Sequence, residues 1–236
     1  MSSVLNPWRI PVLNPMQFRG SRVIIVGPAS TVLEDLGEIE VNDHDYVVRL
    51  NNGIALALEN APRLGNRTDI LFHNLNEEGS RSAGRIPLSL LVEHGVRFCV
   101  FPHWSFKGSK SRLHRKRREM LSQTQVALTV PPKSFCTSLR RNLGGYQPTV
   151  GASAIVYFLR CELAELQIHG FSFFQTPYLS GYNDAVTTNE DARDWVAASE
   201  VHNPAAERAL ITKEIDEARR RGLTVVLGKN VVRFLS

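Results

Sequence analysis

The sequence predicts an α/β fold, a single domain built on a mostly parallel β-sheet with helices on both faces. Three observations carry this. At 236 residues the chain is long enough for one large buried core and too short for a second full domain. Short, uninterrupted apolar runs recur along it, as strands buried on both faces require. Helix-like stretches alternate with these runs, and that alternation packs as helices over a parallel sheet.

Residues 1–20, with prolines at 7, 11 and 15, read as an extended lead. Arg22-Val23-Ile24-Ile25-Val26 is an apolar run that ends at Gly27 and reads as the first buried strand. Tyr46–Leu50 is the second, Thr68–Phe72 the third, and Arg97–Phe101 the fourth, the last preceded by a helix-like IPLSLLVEHG that closes on Gly95. In the second half, Ser153–Leu166 reads as an apolar helix, Gln167–Phe171 as a strand, Asn203–Arg221 as a long helix closed by Gly222, and Leu223–Leu227 as a final strand. The polar, turn-rich stretch over 175–195 is read either as an active-site lid or as an irregular insertion. Ligands of parallel sheets sit beyond the carboxyl ends of the strands, so Gly27–Ser30, Asn51, Asn52, His73, Asn74 and His103 are the positions to watch.

Composition narrows the function. The net charge is +5, and Lys107, Lys110, Arg112, Arg115, Lys116, Arg117 and Arg118 crowd into a dozen residues. Such a segment is either a solvated helix face or a place to hold phosphates of a membrane surface, a nucleic acid or an anionic glycan. No zinc-finger, RNA-recognition or zipper pattern accompanies it, so no nucleic-acid partner is expected. Cys99, Cys136 and Cys161 lack metal-ligand spacing and read as buried thiols. No apolar run is long enough to cross a bilayer, and the expectation is a cytoplasmic protein.

Three constellations can carry chemistry. Val26-Gly27-Pro28-Ala29-Ser30 ends a strand in small residues that let a ligand approach the backbone, but it lacks the further glycines of a dinucleotide fingerprint and the lysine of a P-loop. Pro148-Thr149-Val150-Gly151-Ala152-Ser153 opens the apolar helix, where backbone N–H groups and hydroxyls favour a phosphate; the alternative is an ordinary cap by Ser153. His202 precedes the cap Asn203 and Pro204, at the positive end of a helix dipole that favours the neutral imidazole a general base needs; the alternative is a structural histidine. Glu207, one turn on, can orient it. Asp43-His44-Asp45 has a metal-diphosphate spacing but precedes a strand, so it is read as strand entry and no metal is expected.

Taken in order, these elements resemble the eukaryotic-type sialyltransferases, glycosyltransferase family 29, over residues 22–210. RVIIVGPASTVLEDLGEIEVNDHDYVVRLNNG is similar to the large sialyl motif, PTVGASAIVYFLRCELAELQIHGFSFF to the small motif, and HNPAAE to the very small motif. The resemblance implies a Rossmann-like, GT-A-like fold and an inverting, metal-independent transfer of a sugar acid from a CMP-sugar to a cell-surface glycan or its precursor. It implies that Gly27, Pro28, Ala29, Ser30, Asn51 and Asn52 meet the nucleotide, and that Thr149, Val150 and Gly151 cradle ribose and phosphate. Gly170, Phe171 and Ser172 would line the cytosine, and His202 would be the base.

The chain departs from the family where Pro28 replaces the usual turn asparagine, where Gln147 follows Tyr146 ahead of the small motif, and where Arg22 or Val23 stands at the site of a family disulfide partner for Cys161. These departures point to a soluble bacterial relative using CMP-sialic acid or CMP-Kdo; the basic segment is expected to hold either the glycan acceptor or an inner-membrane surface. No cofactor beyond the donor is expected. A non-catalytic nucleotide-binding module and a basic RNA-binding protein are the alternatives from other classes.

Overall fold

The computed structural model describes residues 10–79 and 82–236. The chain forms β1 (Arg22–Val26), α1 (Val32–Leu36), β2 (Tyr46–Leu50), α2 (Gly53–Glu59), α3 (Ala61–Leu64), β3 (Ile70–Phe72), α4 (Leu88–Glu93) and β4 (Phe98–Val100). Next come α5 (Ser109–Gln123), β5 (Ala127–Thr129), α6 (Lys133–Asn142), α7 (Val150–Leu159), β6 (Glu165–His169), α8 (Asn189–Ala197), α9 (Pro204–Arg220), β7 (Thr224–Leu227) and α10 (Lys229–Leu235). All seven strands pair in parallel, in the order β5-β4-β3-β2-β1-β6-β7.

The continuous apolar runs reflect burial on both faces. Val23, Ile25, Val48, Leu50, Ile70 and Phe72 pack with α7 and α9 on one side. Ile24, Val26 and Val47 pack under α1 and α2 on the other, and Leu71 and Cys99 under α4 and α5. The sheet thus alternates its side chains between two helical layers.

Several elements differ from those the sequence predicts. The extended lead lies, over residues 1–9, outside the described residues; beyond them Leu13 N–H donates to the Val130 carbonyl (2.8 Å), and a short 3₁₀ turn, Pro15–Phe18, buries Phe18 against Tyr46 and Phe158. Strand β5 and helices α6 and α10 carry no strong sequence signal: β5 has three residues and is followed, after Val130, by Pro131 and Pro132. Helix α7 starts at Val150 because Thr149, not Ser153, caps it, its Oγ1 accepting from Ala152 N–H at 3.0 Å. Strand β6 begins and ends two residues early, stopped by Gly170 at φ +73°. The second half of the 175–195 stretch is helical, started by a reciprocal capping box between Thr188 and Asp191.

The chain builds from β1 outward to β5, then returns to the far side of β1 as β6. That return is the topological switch point, where parallel sheets open a crevice. Gly27 and Gly170 meet there backbone to backbone: Gly27 N–H donates to the His169 carbonyl (2.8 Å) and Ala29 N–H to the Gly170 carbonyl (3.0 Å). A Cβ on Gly27 would collide with the Gly170 carbonyl, and one on Gly170 would come within 2.6 Å of Val32. Gly27→Ala is therefore expected to cost about 2–3 kcal/mol, the scale of core overpacking, as a lowered midpoint in urea unfolding.

Candidate active site

Two adjoining cavities open over the carboxyl ends of the strands. The first, of about 620 Å³, lies at the switch point and is lined by Pro28, Ala29, Leu50, Asn51, Thr149–Ala152, Gly170–Phe174, Tyr178, Tyr182 and Glu207. The second, of about 1040 Å³, extends toward β4 and holds Asn74, Asn76, His103, Arg112, Gln147, Trp195 and His202. Asn51, Thr149, Val150, Phe174 and Tyr178 line both.

The start of α7 is the wall between them. Thr149 is held by Glu207, whose carboxylate accepts from the Thr149 N–H at 2.6 Å and from its hydroxyl at 2.8 Å. With Ala152 N–H taken by Thr149 Oγ1 and Ser153 N–H by the Thr149 carbonyl, the N–H groups of Val150 and Gly151 are left at the positive end of the helix. Gly151 is small for a further reason, since a Cβ there would press to 3.0 Å from the Phe171 ring. Glu207 is buried, and burial pushes its carboxyl up to about 7 against the opposing pull of its Thr149 hydrogen bonds. The sequence sets Glu207 beside His202; the structure joins it to Thr149 instead, so it shapes the cavity through the cap.

His202 stands at the second cavity, one residue before the Asn203 cap, whose side chain accepts from Ala206 N–H (3.0 Å). The His202 Nδ1 lies 2.7 Å from the Gln147 carbonyl. A carbonyl only accepts, so Nδ1 carries the proton, and in the neutral ring Nε2 holds the basic lone pair. His103 is fixed the opposite way: Nε2 donates to the Pro148 carbonyl (2.9 Å), and burial, chiefly, pulls its pKa down to about 4. Adjacent carbonyls therefore set two histidines in opposite tautomers.

The remaining candidates separate clearly. Asn51, in the left-handed region at φ 47°, accepts from Asn74 N–H (3.1 Å) and donates to the Tyr182 hydroxyl (3.4 Å), tying three segments at the cavity edge. Gly27 and Ser30 line neither cavity: Gly27 faces Gly170, correcting the expectation that its bare backbone admits a ligand, and Ser30 N–H donates to the Pro177 carbonyl (3.0 Å). Asn52 holds the Gly181 carbonyl (3.2 Å) and lines a smaller neighbouring pocket. His73 is turned inward, its Nδ1 accepting from Leu75 N–H (2.9 Å) and its pKa held near 3 by burial and the Lys116 charge. Asp43, His44 and Asp45 sit at the amino edge of β2, away from both cavities.

Sequence reasoning missed Tyr178 and Tyr182, which bring the 175–188 stretch over the first cavity. Their rings lie 4.9 Å apart, and a bridge between Ala29 and Tyr178, with Leu179 N–H donating to the Pro28 carbonyl (2.8 Å), stitches that stretch to the first turn. Burial raises both phenols, Tyr182 to about 12, so their hydroxyls remain donors. An irregular segment gives no periodic signal by which its aromatics could be placed. The basic segment is also divided: Lys107, Lys110, Arg115 and Arg118 are exposed, Lys116 and Arg117 are buried, and Arg112 lines the second cavity. It is not one solvated or membrane-facing stripe.

No family model and no curated protein sequence matches the chain. Among solved structures its fold is similar to that of a mammalian sialyltransferase (TM-score 0.56, 14% identity, covering 89% of this chain and 70% of that one). It is similar as well to the sialyltransferase CstII from Campylobacter jejuni in complex with the substrate analogue CMP-3FNeuAc (0.55, 12%, 89% and 87%). The monofunctional alpha-2,3-sialyltransferase Cst-I from Campylobacter jejuni shows the same likeness (0.55, 12%, 94% and 84%). The chain thus has the α/β fold of sialyltransferases over about nine-tenths of its length.

The raised carboxyl of Glu207 fixes the sign of a pH effect. Its proton is held more tightly in the folded chain, so the stability it lends is full below the ordinary value of 4.5 and is lost as pH rises through about 7. Relative to Glu207→Gln, the wild type should lose on the order of 3 kcal/mol of unfolding free energy across that window, read from denaturant titrations at fixed pH steps.

Proposed function

We propose that the chain is an inverting, metal-independent glycosyltransferase of the sialyltransferase type. It moves a 2-keto sugar acid, sialic acid or Kdo, from CMP to a hydroxyl of a cell-surface glycan or its precursor. The observation that carries this reading is the arrangement of His202: its Nδ1 is committed to the Gln147 carbonyl, its ring lines the second cavity, and that cavity joins the first at the amino end of α7.

CMP would occupy the first cavity, its base near Gly170, Phe171 and Ser172 and its phosphate toward the N–H groups of Val150 and Gly151. The donor analogue bound by the CstII neighbour supports that class of ligand. His202 Nε2 would take the proton from the acceptor hydroxyl as its oxygen attacks the anomeric carbon. The bond to the phosphate oxygen breaks, and CMP leaves with the electron pair. Helix amides and the hydroxyls of Tyr178 and Tyr182 supply donors for the charge growing on that phosphate, so the reading needs no cation. The one carboxylate lining either cavity among the described residues, Glu207, is taken up by the Thr149 N–H and hydroxyl, so a direct displacement, with inversion, is the simplest route.

His202→Ala should lower CMP release from the donor about 100-fold or more, the scale of general-base catalysis, while leaving CMP affinity within a few-fold of wild type. The assay offers CMP-sialic acid and CMP-Kdo with EDTA present across a panel of glycans. Unaltered turnover in the variant would remove His202 from the chemistry, and absence of CMP binding would remove the donor class.

A further inference from the structure

Resting on that reading and deepening it, we infer that the acceptor is an acidic glycan, whose carboxylate or phosphate is received by Arg112 at the far end of the second cavity. Among the described residues lining this cavity, none is an aspartate or glutamate, and Arg112 is the one permanent cation. The other polar groups on its walls are chiefly amides and neutral donors, which suit sugar hydroxyls.

Arg112 is half-buried, its guanidinium 5.9 Å above the Phe101 ring, and no carboxylate among the described residues forms an ion pair with it. One turn along the same helix, Lys116 is buried and saturated by Glu77 (2.6 Å) and Glu119 (3.0 Å). A partly desolvated cation without a counter-charge is unfavourable unless something else supplies the anion. The cavity that Arg112 lines is where a ligand would bring it.

Position tells donor from acceptor. Arg112 stands with His103 at the β4 end of the sheet, three strands from β1, which at the usual strand spacing is about 14 Å. The donor phosphate and the carboxylate beside it lie, on the proposed reading, at the α7 amides of the switch point. A second anion-binding group beyond His202, on the side from which a hydroxyl must reach the base, therefore belongs to the incoming sugar. A guanidinium fork accepts carboxylate and phosphate alike, so the chemistry fixed here is anionic oxygen.

The test is binding with CMP present. The probes are the methyl α-glycoside of N-acetylneuraminic acid, galactose 6-phosphate and methyl galactoside, titrated against wild type, Arg112→Gln and Arg112→Lys. Wild type should bind one or both acidic probes about 10- to 100-fold more tightly than methyl galactoside, the range of a charge-assisted hydrogen bond. Arg112→Gln should erase that preference and Arg112→Lys restore part of it; the acidic probe preferred names the anion. Equal binding of acidic and neutral probes by wild type would overturn the inference, as would a preference intact in Arg112→Gln. Failure of the donor reading shows separately, as no CMP release from any CMP-sugar by wild type.

Discussion

Everything around the two cavities depends on the backbone contact between Gly27 and Gly170. Strand order places β1 and β6 side by side although more than a hundred residues separate them, and the crevice exists only because the loops beyond them diverge. Side chains at either glycine would wedge those loops apart. The contact also buries the Gly170 N–H, which must find an acceptor or cost about 1–3 kcal/mol. Asp35 supplies it at 3.0 Å, and its second oxygen accepts from the Asn230 backbone (2.8 Å) and side-chain amide (3.0 Å). One carboxylate thereby locks α1, the crossing and the C-terminal α10 together. Gly228 is required for the same reason, since a Cβ there would sit 2.5 Å from the Asp35 carboxyl carbon.

Other buried charges serve the edges of the crevice in the same way, by closing segments that have no regular structure of their own. Arg49, at the core of β2, donates to Thr68 (3.0 Å) and to the carbonyls of Leu64, Gly65 and Arg67. Burial lowers its pKa to about 9, which leaves it charged at neutral pH, and the carbonyl dipoles stand in for the missing carboxylate. The segment they fix leads into β3, and Asn51, two residues after Arg49, ends the neighbouring strand at the cavity. Lys116 acts on the other side. Its partner Glu77 also accepts the Ile86 N–H (2.8 Å), so the loop carrying Asn74 and Asn76 is closed by an ion pair shielded from solvent.

The fold was legible in the sequence wherever an apolar run ended on small or polar residues: β1, β2, β3, β4, β6 and β7 are all placed within two residues. What failed was short or irregular. β5 offers three residues close before two prolines, and α5 hides its apolar stripe behind six lysines and arginines. The site was legible where chemistry and capping coincide. Thr149, Val150, Gly151 and His202 stand at helix starts, and a helix start is written in the chain as a cap and a proline or small residue. His103 was marked only as a strand-end position and Arg112 only as one of a basic run, while Tyr178 and Tyr182 reach the first cavity through tertiary packing alone, with no local pattern to mark them. A residue the sequence brought to the cavities carried a different partner there: Glu207 was paired with the histidine five residues before it, whereas the fold gives it Thr149, fifty-eight residues away in sequence.

That pairing answers a physical difficulty of the site. A phosphate is best held where N–H groups are free, yet the first N–H and the hydroxyl at this helix start belong to Thr149 and are shielded from water, so they need an acceptor. A carboxylate satisfies both, at the cost of a negative charge beneath the place where, on the proposed reading, the donor's phosphate binds. Burial resolves the conflict. With its carboxyl pushed up to about 7, Glu207 is partly protonated at neutral pH, and an anion arriving at Val150 and Gly151 would favour the protonated form further. The cap is kept, the two outer N–H groups remain turned to the cavity, and the field at the helix end stays positive. A permanently ionised carboxylate here would hold Thr149 as well and repel the ligand; an apolar residue would spare the ligand and lose the cap. A buried glutamate poised near neutrality does neither.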